Sequence, residues 1–71
     1  MTNAIHVSVV SAEEASLGVA EFWSGERMIA FTLIDDGDLT LRIGPSTDGV
    51  VLGAHALAEA LAEADRLLAR H

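Results

Sequence analysis

The stretch MIAFTLIDDGDLTLRI (residues 28–43) decides the fold. Two apolar runs flank Asp35-Asp36-Gly37-Asp38, and Asp and Gly are the residues that turns select. Glu26–Ile34 and Leu39–Ile43 therefore read as the strands of a hairpin. Two registers compete. A two-residue Asp36-Gly37 turn places Leu39, Leu41 and Ile43 on the face of Trp23. A three-residue Asp35-Asp36-Gly37 loop, with Gly37 left-handed in a bulge, places them with Ile29, Phe31 and Leu33. A slip of one residue moves every side chain to the other face, so the choice sets the core. The longer loop gathers more apolar bulk and is the expected one.

Working outward, Ser24-Gly25 separates this hairpin from a preceding run, Ser16–Trp23, which makes a further hairpin. Ala4–Val10 alternates with period two: Ile5, Val7 and Val9 point one way, His6 and Ser8 the other. Ser11–Ala15 reads as a turn, because five residues are few for helix nucleation. On the other side, Gly44–Gly49 is a loop and Val50-Val51-Leu52 a short fifth strand. Residues 54–70 form a helix. Ala54, Leu57, Leu61, Ala64, Leu67 and Leu68 recur at three- and four-residue spacing and make one apolar stripe, with Leu61 as its expected anchor. Alanine, the best helix former, fills six of the eleven positions from 54 to 64. The expected architecture is α+β, a four-stranded antiparallel meander with one C-terminal helix on one face. One ββββα domain covers residues 1–71.

Pairing the second and third strands with Trp23 opposite Glu26 collects Ala20, Phe22, Ile29, Phe31, Leu33, Leu39, Leu41 and Ile43 beneath the helix. Thr32, Thr40 and Arg42 stay outside. The outer face is still not polar, for Leu17, Val19, Trp23, Met28 and Ile34 remain on it, with Glu21 between Val19 and Trp23. A single helix covers one face only, and a contiguous exposed apolar patch marks an interaction site. The candidate interaction residues are therefore Leu17, Val19, Glu21, Trp23, Met28, Ile34 and Arg42. Glu21 is expected to pair with Arg42 or Arg27 across the sheet or an interface.

Charge and composition bound the chemistry. Eleven acids face four arginines, and there is no lysine or cysteine in 71 residues, which gives a net charge of -7. Nucleic-acid binding needs clustered Lys and Arg, so it is not expected. No disulfide, Cys-ligated metal or thiol chemistry can form. No apolar run reaches the length of a membrane span, the start lacks a secretory pattern, and the cytoplasm is the expected location. His55 and Glu59 share a helix face, but two ligands fall short of a zinc site, and the pair reads as an exposed polar contact. The acidic turn at residues 35–38 lacks the alternating oxygens and closing Glu of a calcium loop. No nucleophile elbow, phosphate loop or buried carboxylate pair makes a catalytic constellation, and no cofactor is expected.

From Pro45 onward, Pro45, Gly49, Leu57, Glu59, Ala60, Leu61 and Ala64 fall ungapped on a loop, strand and helix pattern that resembles the HicB-type antitoxins. The resemblance covers about a third of the chain and implies a protein that neutralises a small ribonuclease toxin through protein contacts. Here Gly53-Ala54-His55 opens the helix in place of that family's capping Asp or Thr. The residues themselves point to a non-enzymatic interaction or accessory module, a homodimer joined through the outer sheet face around Trp23. A small enzyme with its site in a dimer cleft, using Glu21 or His55, is the remaining alternative.

Overall fold

A computed structural model describes residues 4–44 and 51–70. The chain forms β1 (His6–Ser8), α1 (Ala12–Ser16), β2 (Glu21–Ser24), β3 (Arg27–Asp35), β4 (Asp38–Ile43) and α2 (Ala54–Ala69). The strands make one antiparallel sheet in the order β1-β2-β3-β4. This is the expected α+β meander with one C-terminal helix. Of the proposed fifth strand, Val50 lies outside the described residues, and Leu52 makes only an isolated bridge. The Pro45–Gly49 loop also lies outside them.

Both hairpins turn in two residues. Ser24 pairs with Arg27 rather than Trp23 with Glu26, so Gly25-Glu26 is the turn. Gly25 takes φ +63° and Glu26 stays at negative φ, the type II′ pattern that favours glycine first. In the second hairpin Asp35 pairs with Asp38, and Asp36 and Gly37 both take positive φ, +55° and +85°. That is a type I′ turn, whose twist matches the strands it joins. The three-residue loop is thus not formed, and the local turn chemistry prevails over the larger apolar count.

The register redistributes the core. β3 carries a bulge: Phe22 pairs with Ala30 but Trp23 pairs with Met28, which leaves Ile29 over. Ile29 and Ala30 are therefore both buried. Beyond the bulge, Ala30, Thr32 and Ile34 lie on the helix side with their β4 partners Ile43, Leu41 and Leu39. Phe31 and Leu33 move to the outer face, and Thr32 moves in. The Thr32 hydroxyl is accommodated there because it donates to the Gly18 carbonyl at 2.8 Å and accepts from the Ala20 amide at 2.9 Å. A buried polar group is tolerated when its hydrogen bonds are made.

The helix packs on this side through its small residues. Ala60 and Ala64 join Ala20, Phe22, Ile29 and Ala30 in the buried cluster, with Val7, Leu41 and Leu68 around them. Leu61 is 39% exposed and is not the anchor. Alanines let the helix approach the sheet closely, so its contact line is rotated away from the bulkiest residues of the stripe. α2 also runs against β1.

Ser11–Ala15 is not a simple turn. Ser11 caps α1 by accepting from the Glu14 amide at 3.1 Å. The far end closes as a Schellman motif: Gly18 N–H donates to Ala15 C=O, Val19 N–H to Glu14 C=O, and Gly18 takes φ +76°. Capping at both ends supports a helix too short to persist alone.

Candidate functional site

The sheet face opposite α2 is the candidate site. Cross-strand pairs place His6 beside Trp23, Trp23 beside Met28, Glu21 beside Phe31, Phe31 beside Arg42, and Leu33 beside Thr40. Trp23, Met28, Phe31 and Leu33 are its apolar members. Met28 is 37% exposed and the other three are half-buried. No helix among the described residues covers them.

Four of the seven candidate residues, Glu21, Trp23, Met28 and Arg42, come together on this face. The others do not join them through a strand pair. Leu17 is the C-cap of α1 and Val19 ends the Schellman turn, so neither belongs to β2. Ile34 sits on the helix side, because the bulge at Ile29 reverses the parity between Met28 and Ile34. Its side chain lies directly over Gly18, where an added Cβ would collide with Ile34 Cγ1. Phe31 and Leu33 take the vacated places. Asp36-Gly37 signals the pairing of Ile34 with Leu39, and the bulge sets which side of the sheet that pair faces.

The polar groups of the face are tied locally. Trp23 Nε1 donates to Glu21 Oε1 at 3.3 Å, which fixes the indole edge. Arg42 pairs with Asp35 at 3.0 Å, with both side chains at least half exposed. Glu21 and Arg42 thus have partners other than each other within the chain. An exposed pair of this kind contributes about 0–1 kcal/mol and mainly restricts orientation.

The remaining chemistry lies elsewhere and is exposed. His55 Nε2 and Glu59 Oε1 meet at 3.0 Å on the open side of α2, the expected i,i+4 contact. Glu63 and Arg66 pair one turn further on. Among the described residues no group of three His, Asp or Glu side chains could hold a metal ion. His71 lies outside them. A groove of about 670 Å³ runs between β1 and α2 past His6, Glu59 and Glu63, away from Glu21. Among the described residues no helix is long and apolar enough to cross a membrane. Comparison with protein-family models, with curated proteins and with solved structures returned no match.

Proposed function

We propose that this chain is a non-enzymatic interaction module of the cytoplasm that acts as a homodimer through the outer sheet face around Trp23. One observation carries the reading. Trp23, Met28, Phe31 and Leu33 share the face that α2 does not reach, and Glu21 and Arg42, on either side of Phe31, are bonded to Trp23 and Asp35. Aromatic residues and Met are enriched in interface cores, and buried tryptophan is a frequent energetic anchor. A chain of 71 residues without disulfides has a small core, and association adds the burial it lacks. A two-fold axis lets the same patch cover itself.

Sedimentation equilibrium tests this. The wild type should associate at micromolar concentration, and Met28→Asp should abolish association through this face while circular dichroism stays that of the parent. Met28 suits the test because it is the most exposed apolar residue of the face. A wild-type monomer, or a Met28→Asp protein of unchanged mass, would refute the reading.

A second reading rests on charge. A net charge of -7 and a pI near 4.5 complement a small basic protein, which is the toxin class that the HicB-like resemblance implies. Co-expression with a candidate basic ribonuclease should then restore growth, and Met28→Asp should weaken the rescue.

A further inference from the structure

β4 is an edge strand, and among the described residues no strand lies beyond it. Its backbone groups divide by position. The two-residue turn makes Asp35 and Asp38 a hydrogen-bonded pair, so Asp38, Thr40 and Arg42 direct their N–H and C=O groups toward β3. The Gly44 amide, donating to the Ile29 carbonyl at 2.8 Å, keeps that phase past the end of the strand. Leu39, Leu41 and Ile43 therefore direct theirs toward the edge. Proteins usually blunt such edges with proline, lysine, bulges or a covering element. DLTLRI (residues 38–43) contains neither proline nor lysine, and its pairing with β3 has no bulge. Leu39 and Ile43 are exposed, at 45% and 65%.

We propose that β4 pairs antiparallel with β4 of a second copy, with Thr40 on the two-fold axis. Antiparallel neighbours share a face, so only registers that match odd with odd and even with even keep the apolar side continuous. With Thr40 on the axis, Leu39 faces the partner's Leu41 as a hydrogen-bonded pair on the helix side. On the outer side Asp38 faces the partner's Arg42, whose guanidinium has donors to spare beyond its own Asp35 contact, and the symmetry repeats this contact. Both are non-hydrogen-bonded positions, where side chains approach most closely and opposite charges stabilise. Shifting the axis to Leu41 sets Arg42 against Thr40 and Asp38 against Gly44, which loses both charge pairs. The strand's own charge order favours this register over the one centred on Leu41.

This edge pairing is independent of the face dimer; only its closure into a larger assembly rests on that reading. The edge axis is perpendicular to the sheet, whereas the face axis lies in the plane between two stacked sheets. Perpendicular two-fold axes that meet give a closed assembly of four copies.

Charge reversal in the full chain tests the pairing by light scattering at high micromolar concentration. Asp38→Arg and Arg42→Asp each set like charges against each other across the edge. Each should weaken edge association at least about tenfold, leaving two copies where the wild type has four. Mixing the two variants restores opposite charges at both positions, and the wild-type mass should return. Recovery on mixing also shows that both variants fold. Single variants with the wild-type mass, or a mixture that fails to reassemble, would overturn the pairing. Met28→Asp separates the two interfaces. If only the edge pairing holds, the wild type is a dimer that survives Met28→Asp and dissociates in Asp38→Arg. If only the face dimer holds, the sensitivities reverse, and a wild-type monomer overturns both.

Discussion

Replacing Thr32 with valine tests the packing of the core most sharply, because it keeps shape and removes one hydroxyl. Thr32 is 2% exposed beneath α2, and its Oγ1 joins the Gly18 carbonyl to the Ala20 amide. Valine leaves both backbone groups without that partner in a buried setting. At about 1–3 kcal/mol for each unsatisfied group, the loss should be at least about 2 kcal/mol. A chain of this length has roughly 4–11 kcal/mol of total stability, taking about 0.05–0.15 kcal/mol per residue. Tm should then fall by at least about 8 °C, since 1 kcal/mol shifts a domain of this size by about 4–8 °C. Thr32→Ser keeps the hydroxyl and removes one methyl, which costs about 1 kcal/mol. Thermal unfolding followed by circular dichroism should therefore rank wild type above Thr32→Ser and Thr32→Val last. If Thr32→Val melted at or above the wild type, the hydroxyl would not be bonded in the core and the register of β3 would be wrong.

Gly18→Ala should destabilise strongly, since it adds a collision with Ile34 Cγ1 to a positive φ. Gly37→Ala, with nothing within 4 Å, should show only the backbone penalty of about 1–2 kcal/mol in urea unfolding. Leu61→Ala should lower stability by less than about 1 kcal/mol, whereas Ala64→Leu should cost about 1–3 kcal/mol by overpacking the helix against the sheet. Asp36→Asn should leave Tm nearly unchanged, because both residues accept the left-handed conformation, and millimolar calcium should not raise it.

Much of this fold is legible in the sequence, and the gaps have physical reasons. The alternation at residues 39–43 and the three-four spacing at residues 54–68 mark β4 and α2, because each pattern matches one backbone period. Apolar bulk alone marks Phe31 and Leu33 as core, yet Ala30 and Thr32 occupy those places. The bulge at Ile29 decides it, because it turns Ala30, Thr32 and Ile34 to the helix side; the type I′ turn at Asp36-Gly37 fixes only the pairing of β3 with β4. The bulge at Ile29 had no comparable signal, since it arises from packing across two strands. α1 was signalled by Ser11 and Glu14 at capping-box spacing and by Gly18 beyond its end. Five residues alone are few for nucleation, and the caps compensate for that. On the outer face, Trp23, Met28, Glu21 and Arg42 follow from alternation near the hairpins. Leu17, Val19 and Ile34 were misplaced because alternation does not persist through a helix cap or a bulge.

Trp23 is the only tryptophan, so its emission reports directly on the face held to be the interface. The decisive measurement is that emission across a dilution series from high to low micromolar concentration, with mass followed by sedimentation. A face dimer gives a blue-shifted maximum at high concentration that moves to the red as the mass falls. A monomeric mass throughout, with an emission maximum that does not change on dilution, would contradict it.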